Sequence, residues 1–349
     1  MALRSSSPCR KKPCSTTGTS TWASGRRNAS KKCATRTWMA WIFNGCKPWR
    51  NASACRASCG PPRASSIWRK NRKPAPRCSD VMKEEALHLA ASARDPAQKL
   101  NLLREYLQAF TLRSWHESEA FQSVAFVGGT ALRFLHGIAR FSEDLDFSVI
   151  ESSAFRPLTW MEKLKRDLTL AGFTPELRWN DRKTVHSGWI RISGLLKEAG
   201  LGAMEAQKLS IKVEIDTRPP AGAKVLHSII QRRLMFGLAH YDLPSLLAGK
   251  LHALQVRPYT KGRDWYDLVW YLSQRPPIAP NLFLLQNALD QTQGPGKLAA
   301  ADWCHHLRQR LATIDHPAMI QDIAPFLERP EDTALLTPSS LQSLLRDGP

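Results

Sequence analysis

Residues 123–149 read SVAFVGGTALRFLHGIARFSEDLDFSV, and the order of elements in this stretch decides the fold class. Its first five residues form an apolar run typical of a buried strand, which a pair of glycines ends. A short helical segment follows, and residues 143–149 then alternate between polar and apolar side chains, the pattern of a strand with one buried face. The stretch predicts a strand, a glycine turn, a short helix and a second strand.

The segments on either side extend this unit into an α/β (α+β) domain. Two helices are predicted within residues 82–121, and the Asp95-Pro96 pair marks the start of the second one. A further helix is predicted over residues 158–171. Three more strands are predicted at 174–179, 189–193 and 209–216. We therefore expect residues 82–220 to form a mixed sheet with flanking helices.

Beyond Pro219-Pro220 the alternation of polar and apolar residues stops, and the pattern favours helices separated by proline or glycine. These helices are predicted at 229–238, 243–256, 262–273, 281–290, 297–312 and 318–327. We expect residues 221–349 to form a C-terminal helical domain that completes the functional site.

The first 81 residues differ from the rest in composition. Residues 1–80 hold 18 of the 50 Lys and Arg residues and only one acidic residue, Asp80, so most of the net charge of +20 lies there. They have only one leucine and no valine, so we expect no hydrophobic core there. They hold seven of the eight cysteines but no histidine, so we expect no zinc site either. We predict that residues 1–81 are disordered or follow a mis-assigned start, with Met82 as the biological start. A basic arm that holds RNA is the alternative.

Length and hydropathy narrow the class of protein. The 349 residues suit one large or two ordinary domains with a substantial core, which excludes collagen, coiled coils and mini-proteins. The sequence has no run of 18 apolar residues and no apolar leader near its start, so we expect a cytoplasmic protein without a membrane partner. Charges nearly balance beyond residue 81, so a groove for RNA would be local. Its candidate residues are Arg232, Arg233, Lys261 and Arg263.

Gly128, Gly129 and Thr130 form a candidate phosphate-binding turn. Glycines let a backbone approach an anion closely, and the N-terminus of the following helix offers unpaired N–H groups to it. Taken alone, such a turn is more often an ordinary helix cap.

A candidate metal site follows within the run that starts at Ser142. The two-residue period of a strand places Asp144 and Asp146 on one face, and two adjacent carboxylates favour a hard cation such as Mg²⁺ or Mn²⁺ between them. Glu214 and Asp216 alternate with apolar residues in a later strand and supply candidates for a third ligand. The alternative for both strands is a solvated face.

Three segments resemble the AbiEii/AbiGii family of nucleotidyltransferase toxins, within the DNA-polymerase-β-like nucleotidyltransferase superfamily, over residues 82–330. They are GGTALRFLHGIARFSEDLDFSV (128–149), SIKVEIDTRPP (210–220) and LPSLLAGKLHALQVRPYTKGRDWYDL (243–268). The resemblance implies that residues 82–220 are a nucleotidyltransferase domain and ranks Glu214 above Asp216 as the third acid. It also implies catalysis on an NTP, an acceptor such as tRNA, and a separately encoded, AbiEi-like antitoxin in a type IV toxin-antitoxin or abortive-infection system.

The third segment supplies the remaining candidate site residues. By resemblance, Lys250 meets nucleotide phosphates and Asp264 is a required acid, as a base for the acceptor hydroxyl or as an organiser of basic neighbours. Arg263 adds a cationic contact to nucleotide or RNA, and Asp267 shares a helix face with Asp264. Without the resemblance, a surface lysine and a local ion-pair network are the favoured explanations of these residues.

The sequence therefore predicts a Mg²⁺-dependent nucleotidyltransferase that moves NMP from an NTP to an acceptor and releases pyrophosphate. Two alternatives stay open: transfer to a protein or a small molecule, and a non-catalytic protein that binds nucleic acid through its basic arm.

Overall fold

The computed structural model describes residues 81–346, so the predictions for residues 1–80 lie outside the described residues. The helices are α1 (Val81–Ala91), α2 (Pro96–Glu117), α3 (Gly128–His136), α4 (Pro157–Leu170), α5 (Leu195–Glu198), α6 (Leu243–Val256), α7 (Gly262–Leu272), α8 (Leu282–Gln293), α9 (Trp303–Leu311), α10 (His316–Ile323) and α11 (Pro338–Arg346). The strands are β1 (Val124–Val127), β2 (Leu145–Val149), β3 (Thr174–Asn180), β4 (Val185–Ser193), β5 (Lys208–Asp216), β6 (Val225–Ile230) and β7 (Phe236–Tyr241).

Within residues 81–346 the seven strands form one mixed sheet in the order β3-β4-β5-β2-β1-β7-β6. Strand β2 runs antiparallel to β1 but parallel to β5, and β1 runs parallel to β7. The predicted mixed sheet with flanking helices is confirmed. The central position of β2 brings the carboxylates of Asp146 and Glu214 side by side, because these residues pair in the β2–β5 register.

The two faces of the sheet have different roles. Phe147 of β2 lies on the core face, where its ring packs against Trp115 of α2 at a centroid distance of 4.7 Å. Trp115 in turn packs against Trp160 of α4 at 5.5 Å. Because side chains alternate along a strand, Asp146 points to the opposite face, away from these helices. The hydrophobic core thus fixes which face carries the polar site.

The start of α2 follows the predicted signal. Asp95 caps α2 by accepting a hydrogen bond from the Gln98 backbone N–H at 2.8 Å, and proline occupies the first turn. Asp242 caps α6 in the same way, with Ser245 as donor at 3.0 Å. The cap fixes the first residue of α6 and so sets which of its side chains face the sheet.

The helix predicted at 229–238 is wrong. The structure forms a hairpin of β6 and β7 there, in which Ser228 and His240 side chains hydrogen-bond at 2.9 Å. The local sequence is compatible with a helix, but pairing of β7 with β1 buries Phe236 and Leu238 in the core, and this tertiary contact overrides local preference. The sheet therefore continues to Tyr241, past the predicted boundary at 220.

The other predicted C-terminal helices are confirmed as α6 to α10, and α11 was not predicted. Within residues 81–346, the structure holds no helix with the length and hydropathy of a membrane-spanning segment.

Candidate active site

A cavity of about 580 Å³ lies between the polar face of the sheet and the helices α6 to α8. Most of the residues predicted for the site line it: Gly128, Gly129, Ser142, Asp144, Asp146, Glu214, Asp216, Lys250, Arg263 and Asp264. The predicted residues Thr130 and Asp267 are fully buried and do not line the cavity. Residues more than 100 positions apart in the sequence thus share one chamber.

One wall of the cavity carries carboxylates from the sheet. Asp146 lies beside Glu214 in the β2–β5 register, and Asp144 immediately precedes β2. Burial and the charges of Asp144 and Glu214 raise the pKa of Asp146 to about 6. Burial also raises the pKa of Asp144. Such mutual repulsion is what a bound cation would relieve.

The loop that carries Asp144 is held by buried side chains. Gln108 of α2 donates hydrogen bonds to the carbonyls of Ser142 at 3.0 Å and Glu143 at 2.9 Å. The Thr130 hydroxyl donates to the carbonyl of Asp144. Thr130 therefore positions an acidic residue, and its predicted contact with a nucleotide stays a prediction.

Gly128 allows the α3 N-terminus to approach Asp146. Its φ of +78° lies in the left-handed region, which costs a residue with a side chain about 1–2 kcal/mol. A Cβ at position 128 would lie 3.0 Å from the Asp146 Cβ and overlap the carboxylate. Glycine is thus required both by the backbone and by the neighbouring acid.

Gly128→Ala is expected to lower activity by at least tenfold, because the new methyl displaces the Asp146 carboxylate from its position. Gly137→Ala is the matched control, since Gly137 has a φ of +66° but a Cβ there would meet none of the described residues within 4 Å beyond its chain neighbours. Both variants should lose thermal stability from backbone strain, and Gly128→Ala should lose more because its methyl also overlaps the Asp146 carboxylate. Steady-state rates and melting temperatures check this, and equal loss of activity in the two would contradict it.

The opposite wall carries cations from α6 and the α6–α7 segment. The Lys250 ammonium lies 2.8 Å from a carboxylate oxygen of Asp264 and 2.8 Å from one of Asp267. Arg257 pairs with the other Asp264 oxygen. Although burial acts to raise it, Lys250 and Arg257 lower the pKa of Asp264 to about 2. Asp264 therefore stays ionised and is a weak base in this state.

Asp267 anchors this wall to the rest of the site. Arg140 donates to both Asp267 oxygens at 2.6 Å, and both side chains are almost fully buried. The same guanidinium lies under the glycine turn, where a Cβ on Gly129 would approach Arg140 Nη2 to 2.5 Å. Arg140 thereby joins the α3 N-terminus to the α7 acids.

Arg263 and Lys261 add further cations to the cavity lining. Arg263 Nη1 binds Glu143 at 2.8 Å, and Arg104 lies 3.5 Å from the same carboxylate. Lys261 lines the cavity, and burial together with nearby Arg263 lowers its pKa. The sequence predicted a cationic contact of Lys261 to nucleotide or RNA, and the structure brings Lys261 into the same cavity as Arg263.

The carboxylate wall fits a divalent cation. Within residues 81–346, no three His, Cys, Asp or Glu side chains form a group that could hold a metal ion by themselves. Mg²⁺ is commonly bound by one or two carboxylates and completes its coordination with water and substrate phosphates. Asp144 and Asp146 are two carboxylates of this kind, and Glu214 lies beside Asp146 in the β2–β5 register.

Sequence reasoning missed Arg140, Arg257 and Gln108. Arg140 precedes the Asp144 run by a few residues and Arg257 ends α6, but single arginines there form no recognisable pattern. Gln108 lies on a buried helix face, where only its partners show its role.

A family model and two solved structures are similar to this chain. The family model, described as nucleotidyl transferase AbiEii toxin, type IV TA system, matches residues 111–338. No curated protein matches the chain. A solved structure of a provisionally assigned nucleotidyltransferase from H. pylori is 18% identical, with 70% of this chain and 95% of that chain covered and a TM-score of 0.44. JHP933 from Helicobacter pylori is 18% identical, with 71% and 92% covered and a TM-score of 0.41.

Proposed function

The chain belongs to the AbiEii family of nucleotidyl transferase toxins of type IV toxin-antitoxin systems, and from this premise we propose the reaction that it catalyses. The acceptor is an RNA, with tRNA as the first candidate. The chain transfers an NMP from an NTP to a hydroxyl of this RNA and releases pyrophosphate.

The observation that carries the proposal is the pair of opposed walls in one cavity. Carboxylates from β2 and β5 line the sheet side, and cations from α6 and the α6–α7 segment line the other. A triphosphate is a polyanion that binds cations and a helix N-terminus, whereas a metal ion binds carboxylates. An NTP with its metal ion would bind the cations of one wall through its phosphates and the carboxylates of the other through the metal ion.

Asp144 and Asp146, with Glu214 beside them, would hold Mg²⁺ or Mn²⁺. The bound ion would lower the pKa of the attacking hydroxyl and stabilise charge on the leaving pyrophosphate. Asp146 must be ionised to bind a cation, so the fraction of metal-competent protein rises as the pH passes its pKa of about 6.

The chain's own residues orient the triphosphate. The N-terminus of α3 at Gly128 and Gly129 faces its phosphates, and Lys250 and Lys261 neutralise charge that moves to the leaving group. Asp264 holds Lys250 and Arg257 in place through ion pairs. Its low pKa makes it a poor proton acceptor. Of the two predicted roles for Asp264, we therefore favour the organiser.

The cellular role follows from the family. A type IV toxin acts with a separately encoded antitoxin, and we propose an AbiEi-like one. Modification of tRNA would stop translation in the cytoplasm, which accounts for toxicity and for a role in defence against phage.

The reaction is tested with the full chain, Mg²⁺, total tRNA and each NTP in turn, labelled at the α-phosphate. The control is the Asp144→Asn/Asp146→Asn protein. We expect label on RNA only with the unmutated protein and with one preferred NTP. Label on protein or on a small molecule would replace the proposed acceptor, and salt-sensitive RNA binding without any transfer would identify a non-catalytic binder.

A further inference from the structure

We propose that a face of the sheet beside the active site binds the single-stranded 3′ end of the acceptor, with one base stacked on Trp189. This proposal rests on the proposed function, because it assigns the path by which an RNA acceptor reaches the site. The face, called here the tryptophan face, consists of Glu176, Arg178, Trp189, Arg191, Lys208 and Lys212.

The strand register places these six residues on one face. Arg178 of β3 lies opposite Trp189 of β4, and Trp189 lies opposite Lys212 of β5. Lys212 and Glu214 are two residues apart in β5, so their side chains point to the same face. The tryptophan face is therefore continuous with the carboxylate wall of the cavity.

Trp189 does not have the surroundings of a core residue. The neighbouring Ile190 is buried and Trp179 packs against the hydrophobic core, both on the other face of the sheet. Trp189 is partly exposed, and its ring contacts the Arg191 guanidinium at 5.5 Å and the Lys212 ammonium at 6.0 Å. An accessible aromatic ring between two cations is the arrangement that holds a stacked base with its phosphates.

The charge of the tryptophan face suits a phosphate backbone. It carries four cations and one carboxylate, Glu176, which hydrogen-bonds with Lys208. Lys212 pairs with Glu214 of the site at 2.7 Å, so Arg178 and Arg191 are the cations most free to contact phosphates. An acidic peptide would use the same cations but would leave the flat ring without a stacking partner, so the face favours nucleic acid.

The spacing fits an RNA strand whose 3′ end lies in the cavity. Trp189 lies in β4, which is about 5 Å from its neighbour β5. Along the strand direction, Trp189 is roughly 7 Å from the level of Glu214, because it pairs with Lys212. A base on Trp189 is then roughly one or two nucleotides from the reacting 3′ hydroxyl. A paired duplex hides its base faces, so the occupant is an unpaired end.

A crosslinking experiment locates the strand independently of turnover. The full chain with Asp146→Asn is irradiated with a 12-nucleotide single-stranded RNA that carries 5-iodouridine at its second or third position from the 3′ end. We expect the crosslinked peptide to contain Trp189. Crosslinks confined to other peptides, including those of the basic residues 1–80, would overturn the proposal.

Kinetic variants test the same face in the active protein. Trp189→Leu should raise the KM for RNA roughly tenfold or more with little change in the KM for NTP, and Trp189→Phe should restore most of the affinity because it keeps a stacking ring. Arg178→Gln/Arg191→Gln should also reduce the salt dependence of RNA binding. The matched controls are the exposed residues Phe283 and Arg308, as Phe283→Leu and Arg308→Gln.

The outcomes separate the two proposals. If the protein labels no RNA but the crosslink maps to Trp189, the face binds single-stranded RNA as proposed and the acceptor in the proposed function is wrong. If RNA is labelled and Trp189→Leu behaves like Phe283→Leu, the proposed function stands and the tryptophan face is overturned. Unchanged thermal stabilisation of Trp189→Leu by an NTP with Ca²⁺ shows that this variant is folded.

Discussion

Asp146→Asn is expected to lower nucleotidyl transfer by roughly 10³-fold and, at the same time, to make the folded protein more stable at neutral pH. The activity falls because the variant loses a ligand for the cation. The stability rises because the substitution removes a buried negative charge that Asp144 and Glu214 repel. From the raised pKa we expect a gain of about 1–2 kcal/mol in the free energy of unfolding without metal.

The pH dependence gives an independent check on Asp146. Its pKa is about 6 in the folded protein against 3.8 ordinarily, so the folded state binds the proton more tightly. The contribution that protonated Asp146 makes to the stability of the fold is fully present below about pH 4, and it is lost as the pH rises through about 6. Melting temperatures in EDTA should therefore fall across this window for the unmutated protein and fall less for Asp146→Asn. Added Mg²⁺ should stabilise only the unmutated protein.

Asp216→Asn is the matched control for Asp146→Asn, because Asp216 also lines the cavity but pairs with Ser148 instead of an acid. We expect it to lower activity by less than tenfold. A loss as large as that of Asp146→Asn would overturn the ranking of Glu214 above Asp216.

Asp267→Asn is expected to destabilise the fold by about 3–5 kcal/mol, because it leaves the buried guanidinium of Arg140 without a counter-charge. At this chain length the loss lowers the melting temperature by roughly 10 °C. Activity should fall as well, since Arg140 also lies against Gly129 at the start of α3. Denaturant unfolding and steady-state rates measure the two effects separately.

Asp264→Asn is the comparison for Asp267→Asn. Its partners Lys250 and Arg257 are more exposed, with 12% and 28% of their side chains accessible, so solvent and Asp267 can compensate their charges. We expect a smaller loss of stability with a large loss of activity. Arg140→Met/Asp267→Leu should regain much of the stability that Asp267→Asn loses, because an apolar pair leaves no unpaired charge. Equal destabilisation by Asp264→Asn and Asp267→Asn would contradict the structural role assigned to Asp267.

The sequence by itself determined the elements whose signals are local. Helix α6 has the predicted bounds, because Asp242 and the proline after Leu243 specify its start in neighbouring residues. The alternation of residues 143–149 predicted that Asp144 and Asp146 share one face, and the alternation in β5 put Glu214 on a polar face, because side-chain direction along a strand depends only on its period of two. These signals indicated the carboxylates of the wall, but by themselves they left a solvated face open as the alternative.

Only the tertiary structure decided which distant residues meet. The β6–β7 hairpin forms because β7 pairs with β1, about 110 residues earlier in the chain, and no local pattern at 229–238 shows this partner. The pairing of Arg140 with Asp267 and the exposure of Trp189 on the polar face depend likewise on how strands and helices pack. Local periodicity fixes the direction of a side chain, but its charge partners and its access to solvent depend on helices and strands that are distant in the sequence.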